Sequence, residues 1–218
     1  MRKLFDQQLE LLVEEMISMG ALVEEAINLA CESLITNNDV LAKQVMDADV
    51  IVDKKERNIE ALCLKLLLTQ HPIAKDLRKV SSALKMITDM ERIGDQAADI
   101  CEIVTMIGDS EKHNVHTCIK DMANTTMNMV RKAIDSYASS DLVLAQAVIA
   151  GDDIVDDQFM HIKTDLITLL QEQPNQGQYA LDLLMIAKYF ERIGDHAVNI
   201  AEWVEFSLTG QYKGEVLQ

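Results

Sequence analysis

The segment ERIGDQAADICE at residues 91–102 returns almost unchanged as ERIGDHAVNIAE at residues 191–202. Eight of the twelve positions are identical, which exceeds what shared composition produces. An upstream pair repeats in the same way, with DVIVD at residues 49–53 and DDIVD at residues 152–156. The two offsets, 100 and 103, differ by three residues that fall in the turns containing Pro72 and Pro174. The chain is therefore an internal repeat of two similar halves.

Helical periodicity runs through almost the whole chain, and no stretch shows the alternation of a strand. The predicted helices span about residues 2–36, 40–70, 73–107, 115–138, 142–172 and 179–208. Asp39 is a good N-cap for the second helix, and Gly108 is a good C-cap for the third. Long antiparallel helices joined by short turns form up-down-up bundles. The sequence predicts an all-α protein of two tandem, pseudo-symmetric three-helix bundles with six long helices, one in residues 1–109 and one in residues 110–218.

The charge of the chain excludes some partners. The 218 residues carry 20 Lys and Arg against 36 Asp and Glu, for a formal net charge of −16. Nucleic-acid binding needs clustered Lys and Arg, and anionic lipid attracts basic segments, so neither nucleic acid nor a membrane surface is an expected partner.

The location of the protein is predicted from its apolar segments and its cysteines. No stretch approaches the ~18 apolar residues of a membrane span, and the N-terminus lacks the apolar core of a signal peptide. The four cysteines form no C-x-x-C pair and lie in apolar helical contexts, as buried thiols do in a reducing compartment. We expect a cytoplasmic protein with no membrane insertion.

Carboxylates form a stripe along the third helix and another along the second. Glu91, Asp95, Asp99 and Glu102 recur one turn apart, and no lysine lies between Glu91 and Glu102. Asp49, Asp53, Glu56 and Glu60 form the matching stripe on the second helix. Such stripes are usually solvated faces. However, like charges one turn apart repel each other, and a cation would offset that repulsion.

Two interpretations of the stripes stay open from the residues alone: a solvated face or a cation site. On antiparallel neighbours, the two stripes would surround one or several ions with oxygen, which suits Fe(III), Mn, Mg, Ca or Zn. Gly94 and Gly194, each in the middle of a helix, indicate close helix approach beside the acids. Arg92 and Arg192 are candidates for pairing with acids of a neighbouring helix.

A catalytic constellation is missing from the sequence. There is no Gly-rich phosphate loop, nucleophile elbow, C-x-x-C zinc pattern or Glu-x-x-His ligand pair. We therefore expect a protein that is not an enzyme. A carboxylate-bridged metalloenzyme and a metal-free helical scaffold are the alternatives.

The doubled Glu-Arg-Ile-Gly-Asp segment, the upstream acid pairs and the Asp76-Leu77-Arg78 segment after Pro72 resemble the PhoU family over essentially the whole chain. The resemblance implies a cytoplasmic regulator of phosphate homeostasis that acts negatively when phosphate is plentiful. Its implied partners are the ATPase subunit of a Pst-type phosphate ABC transporter and the phosphate sensor histidine kinase. Some members of the family are homodimers, and some hold multinuclear metal clusters, so we expect such a cluster, with iron first and Zn, Mn, Mg or Ca as alternatives.

Carried over residue by residue, the resemblance places two metal sites in this chain. The first comprises Asp49, Asp53, Glu91, Asp95 and Asp99, and the second comprises Asp152, Asp156, Glu191, Asp195 and Asn199. Asn199 stands where the first half has Asp99, so the second site has one charge fewer. We expect it to hold fewer ions or to hold them more weakly.

Overall fold

The computed structural model describes residues 2–69, 73–107, 115–213 and 215–216. Its helices are α1 (Arg2–Thr36), α2 (Asp39–Thr69), α3 (Ala74–Ile107), α4 (Val115–Ser139), α5 (Leu142–Ile149), α6 (Asp152–Glu172) and α7 (Gly177–Thr209). The predicted all-α fold is confirmed. The predicted turn at Pro72, the C-cap at Gly108 and the boundary between residues 109 and 110 lie outside the described residues.

The two halves match element by element. Helices α1, α2 and α3 of the first half correspond to α4, α5 with α6, and α7 of the second. The turns after α1 and α4 are equivalent, because Asn37 and Ser140 both have positive φ, 51° and 56°. A side chain then caps the next helix in each half. Asn38 Oδ1 accepts from Leu41 N at 3.2 Å, and Asp141 Oδ1 accepts from Leu144 N at 3.0 Å.

The capping prediction for α2 was wrong by one residue. The cap is Asn38, whose Oδ1 also accepts from Val40 N at 3.0 Å, and Asp39 is the first residue of the helix. Either residue type caps well. The left-handed backbone at Asn37 decides between them, since it sets where the chain turns into α2.

The prediction of one helix over residues 142–172 was also wrong, because the helix is interrupted at Ala150 and Gly151. The Gly151 amide donates to Val148 O at 3.0 Å instead of continuing the α-helical pattern. The first half has Asp47 and Ala48 at these positions and stays helical. Glycine is a weaker helix former than alanine, which favours the break in the second half.

The core lies along the central pair α3 and α7, which make the most extensive contact between any two helices of the described chain. One apolar stripe of α3 is fully buried, from Met86 through Ile93 to Val104. In each half the other helices pack around this pair. Each outer helix buries one face, and the polar faces remain toward solvent.

The described chain ends in a short antiparallel pair of strands, β1 (Gln211–Tyr212) and β2 (Glu215–Val216), which the sequence analysis did not predict. Tyr212 stacks on Trp203 of α7, with ring centroids 4.1 Å apart. The stacking thus packs β1 against α7. Each strand has only two residues, which is too short to show a periodic pattern in the sequence. No described helix has the length and low charge that a membrane span requires.

The two equivalent caps support a stability prediction. Replacing Asn38 or Asp141 by Ala leaves backbone amides at the start of a helix without their acceptor, so each change should lower the free energy of unfolding by about 1 kcal/mol. Urea unfolding followed by circular dichroism measures the loss. The exposed Lys43→Ala is the control and should stay within about 0.5 kcal/mol of the parent. A loss no larger than that of the control would contradict the capping roles.

Candidate functional site

The first acidic cluster lies where α2 passes α3. Asp49 and Asp53 belong to α2, and Glu91, Asp95 and Asp99 belong to α3. Gly94 lies at the closest approach, since a Cβ there would be 3.1 Å from Asp49 Oδ1 and 3.2 Å from Val52 Cγ1. The close approach predicted at Gly94 is therefore present, and it places the Asp49 carboxylate against the backbone of α3.

The carboxylates of this cluster lie close enough to oppose one another's ionisation. The pKa of Asp49 is raised first by partial burial and then by the charges of Asp95, Asp53 and Asp99. The pKa of Glu91 is raised by partial burial and then by Asp95, although the neighbouring Arg92 acts in the opposite direction. The five residues predicted for the first site are thus brought into one electrostatic environment.

Glu56 belongs to the same cluster, although it was not among the predicted ligands. Partial burial raises the pKa of its carboxyl group first, and the charges of Glu60 and Asp53 raise it further. Its place in the i, i+4, i+7 stripe of α2 was the signal in the sequence. The cluster therefore extends one turn further along α2 than the repeated DVIVD segment indicates.

Two arginines offset part of this charge. Arg57 pairs with Asp53 at 3.2 Å, and Arg92 pairs with Asp95 at 3.0 Å and with Glu91 at 3.6 Å. The ion pairs of Arg92 are with acids of its own helix. All of these pairs are solvent-exposed to some degree, where ion pairs contribute little to stability. Excess negative charge therefore remains on this face of the protein.

The second acidic cluster repeats the arrangement between α6 and α7. Gly194 allows the close approach, since a Cβ there would be 3.3 Å from Val155 Cγ1. Partial burial raises the pKa of Asp152 first, followed by the charges of Asp195, Asp156 and Asp153, with a smaller contribution from Glu191. Because these charges all act on Asp152, four of the five predicted residues share one electrostatic environment: Asp152, Asp156, Glu191 and Asp195.

The second cluster has its own internal cation. Lys188 of α7 forms an ion pair with Glu191, and its Nζ lies 5.4 Å from the ring centroid of Phe159. Phe159 stands where the first half has Glu56, and Lys188 stands where it has Thr88. The second cluster thus has fewer carboxylates than the first and a lysine beside them. That it holds cations more weakly stays a prediction.

Asn199 forms a hydrogen bond to the other half of the protein. Its Nδ2 donates to Asp89 Oδ1 on α3 at 3.2 Å, and His196 Nδ1 contacts the same oxygen at 2.9 Å. The equivalent residue Asp99 lies beside Tyr189 of α7, whose side chain lowers the pKa of the Asp99 carboxyl group against the larger raising effects of burial and Asp95. Positions 99 and 199 therefore connect α3 and α7. The partners Asp89 and Tyr189 are equivalent to each other in the repeat, but nothing in the sequence alone indicated their role.

The donor chemistry of both clusters fits a hard or borderline multivalent cation, because every group is a carboxylate oxygen or an amide oxygen. As the side chains stand, no three such groups among the described residues converge in metal-ligand geometry. What the arrangement provides is a concentrated negative charge on two helices. A bound cation would reduce the mutual repulsion that raises the carboxyl pKa values.

The raised carboxyl pKa values predict how stability depends on pH. Because their folded-state pKa values lie above the ordinary 3.8 for Asp and 4.5 for Glu, the folded protein binds more protons than the unfolded chain just above these values. The free energy of unfolding should therefore fall as pH rises through this range. Melting of chelator-treated protein from pH 4 to 7 measures the trend.

Asp49→Asn removes one of the repelling charges, so it should make this fall shallower. Asp47→Asn, an exposed position on the same helix, is the control and should leave the slope unchanged. A slope of opposite sign in the parent, or an equal slope in Asp49→Asn, would contradict the coupling.

Similarity to known proteins is found along both halves of the chain. A family model of the PhoU domain matches residues 16–104 and again residues 119–204. A Clostridium acetobutylicum protein named phosphate-specific transport system accessory protein PhoU homolog is 31% identical over 211 residues, which cover 96% of each chain. A Thermotoga maritima protein named phosphate-specific transport system accessory protein PhoU homolog 1 is 33% identical. The match covers 98% of this chain and 93% of that one.

Solved structures agree with this assignment. The crystal structure of PhoU from Pseudomonas aeruginosa superposes with a TM-score of 0.89 at 33% identity, covering 95% of this chain and 100% of that one. A PhoU structure from Streptococcus pneumoniae shares the fold at 24% identity, with a TM-score of 0.87 and coverage of 98% and 99%. With the family model matched in both halves and relatives above 30% identity along nearly the full length, the chain belongs to the PhoU family.

Proposed function

We propose that this protein is a non-enzymatic accessory protein of phosphate transport, which represses the phosphate-starvation response and Pst-type uptake when phosphate is plentiful. The observation that carries the proposal is the match to relatives named as accessory proteins of phosphate-specific transport over 96% of the chain. It would act in the cytoplasm as an adaptor between the transporter ATPase subunit and the sensor histidine kinase. We also propose that it forms a homodimer.

The shape and charge of the molecule support an adaptor. Helices of 31 to 35 residues present long faces on both sides of the central α3–α7 pair. A net charge of −16 favours partners with basic surfaces and speeds their encounter, because complementary charge steers association. A change in charge at the acidic clusters would then alter binding to such partners.

We propose that the acidic clusters bind multivalent cations, with iron as the first candidate and Zn, Mn, Mg and Ca as alternatives. The ligands of the first cluster would be Asp49, Asp53, Glu91, Asp95 and Asp99. Those of the second would be Asp152, Asp156, Glu191 and Asp195, with Asn199 at its edge. The support is the raised pKa of Asp49 and Asp152. Carboxylates that repel one another are stabilised most when a cation binds between them. The second cluster should bind more weakly because Lys188 lies within it.

Cation binding should appear as thermal stabilisation. At pH 7, an ion at about 100 times its dissociation constant adds about 2.7 kcal/mol, which corresponds to roughly 5–10 °C in Tm for a chain of this size. Differential scanning fluorimetry with Fe, Mn, Zn or Mg measures the shift, and elemental analysis gives the stoichiometry.

The repeat supplies matched variants for this experiment. Asp49→Asn with Asp95→Asn should remove most of the shift, and Asp152→Asn with Asp195→Asn should remove less. If no cation shifts Tm and none co-purifies, the clusters are solvated faces. Equal losses in both double variants would contradict the proposed difference between the clusters.

The regulatory role is tested in the host. Deleting the gene should derepress phosphate-starvation genes in high phosphate, and a plasmid copy should restore repression. A reporter for a starvation promoter measures both results. Full repression in the deletion strain would exclude the negative role. Sustained turnover of a phosphate ester by metal-loaded protein, lost in Asp95→Ala, would favour the metalloenzyme alternative instead.

A further inference from the structure

A cleft between α1 and α4 lies on the seam between the two halves of the chain. The two helices pack tightly at Gly20, where a Cβ would lie only 2.5 Å from Ile134 Cδ1. One turn further along α1, Arg131 Nη2 and Glu24 Oε2 form an ion pair at 2.8 Å. Beyond this pair, the helices leave an opening of about 310 Å³ between residues 27–36 of α1 and 120–127 of α4. We call it the α1–α4 cleft, and its volume is in the range of small-molecule sites.

The floor of the α1–α4 cleft is apolar. Ile27, Cys31 and Ala123 are buried, and Ile35 and Met127 are half-buried beside them. A ligand that covers the exposed parts of Ile35 and Met127 would remove apolar surface from water, which is favourable. The cleft therefore favours a ligand with an apolar part.

Opposite charges stand on the two walls of the cleft. Glu32 lies on α1 and Lys120 lies on α4, and both line the opening. Both side chains are exposed, and neither forms an ion pair or a side-chain hydrogen bond with any described residue. Burial raises the pKa of the Cys31 thiol to about 11, whereas Lys120 lowers it and Glu32 raises it. Both charges therefore act on the floor of the cleft.

An amide accompanies each charge. Asn28 lies one turn before Glu32 on α1, and Asn124 lies one turn after Lys120 on α4. Neither amide side chain is hydrogen-bonded within the described part of the chain. Each offers an oxygen that accepts and a nitrogen that donates hydrogen bonds. Each wall thus presents one charge and one amide above the apolar floor.

We propose that the α1–α4 cleft binds a free α-amino acid with an apolar side chain, such as leucine or methionine. The ammonium group pairs with Glu32, the carboxylate pairs with Lys120, and the side chain packs on Ile35 and Met127. The amides of the two walls complete the hydrogen bonds of the charged groups. A zwitterion of this kind supplies a partner to each wall, on a body small enough for the opening.

Other small ligands match the cleft less well. An apolar carboxylate would pair with Lys120 but would meet a like charge at Glu32, and an apolar amine would be repelled by Lys120 in the same way. Inorganic phosphate has no apolar part to cover the floor, and its negative charges would face one lysine beside one glutamate. Juxtaposed like charges are unfavourable, so the pair of walls selects a ligand that carries both signs.

Isothermal titration calorimetry of the full-length, chelator-treated protein in phosphate-free buffer tests the site. No lining residue of the cleft belongs to either acidic cluster, so removal of metal leaves it intact. L-leucine at millimolar concentration should bind once per chain. Two analogues each remove one charge: 4-methylpentanoate lacks the ammonium group, and 3-methylbutylamine lacks the carboxylate. Each should bind at least about tenfold more weakly, because a hydrogen bond between charged groups is lost.

Two variants remove one wall charge each. Lys120→Met and Glu32→Gln should both weaken leucine binding at least about tenfold. The matched controls are Lys132→Met on α4 and Glu14→Gln on α1, which change the net charge equally at exposed positions outside the cleft. Both controls should bind leucine as the parent does. Melting curves of each variant confirm that it is folded.

The analogues and variants together identify which charge meets which wall. In Glu32→Gln, the difference in affinity between leucine and 4-methylpentanoate should shrink, because the ammonium group has lost its partner. In Lys120→Met, the difference between leucine and 3-methylbutylamine should shrink for the corresponding reason. The two differences change together only if the ligand binds in the proposed orientation.

Three results would overturn the proposal. The first is that the parent binds neither leucine nor methionine. The second is that 4-methylpentanoate or 3-methylbutylamine binds as tightly as leucine, which would assign the cleft to a ligand of one charge. The third is unchanged leucine affinity in folded Lys120→Met. None of these results bears on the accessory role, which the deletion strain tests separately.

Discussion

The close contact between α3 and α7 is the constraint on which the rest of the structure depends. These two helices carry the repeated segment, and each buries a continuous apolar stripe, with Ile93 and Ile193 fully inaccessible. The side chains at positions 99 and 199 then reach across the contact to Tyr189 and Asp89. Because both halves share this pair, neither half could keep its apolar faces buried without the other.

The acidic clusters are a consequence of that packing. Once α3 and α7 bury their apolar stripes together, their acidic stripes are turned toward α2 and α6, which approach closely at Gly94 and Gly194. Like charges are thereby held in partial burial, which raises the pKa of carboxyl groups on both sides. The apolar contact supplies the free energy that offsets this repulsion, and it does so without fixing the carboxylates in a closed ligand shell.

Periodicity and the repeat were sufficient to predict most of the helices, the contact of α2 with α3 and the acidic stripes, because these depend on spacing along one chain. They did not predict the contact of α3 with α7. Predictions from periodicity failed where contacts between residues distant in the sequence determine the local structure. Gly94 and Gly194 stay helical while Gly151 adjoins a break, although all three lie in similar helical patterns. The same limit applies to the site, since Lys188 beside Glu191, Tyr189 beside Asp99 and Asp89 beside Asn199 follow from helix packing and from no periodic pattern.

The differences between the halves are as informative as their similarity. In the first half, Lys55 pairs with Glu15 between the outer helices, whereas the central acidic cluster keeps more carboxylates than cations. In the second half, Lys188 pairs with Glu191 inside the acidic cluster, whereas Gln158 stands between the outer helices where the first half has Lys55. In each half, therefore, one site contains a lysine that pairs with a glutamate. At a second site in the same half, carboxylates or other hydrogen-bond acceptors outnumber the cations. Two single-residue differences between the halves account for this contrast: Lys55 corresponds to Gln158, and Thr88 corresponds to Lys188. Neither difference alters the packing of α3 against α7, so a duplicated bundle can diverge in this way.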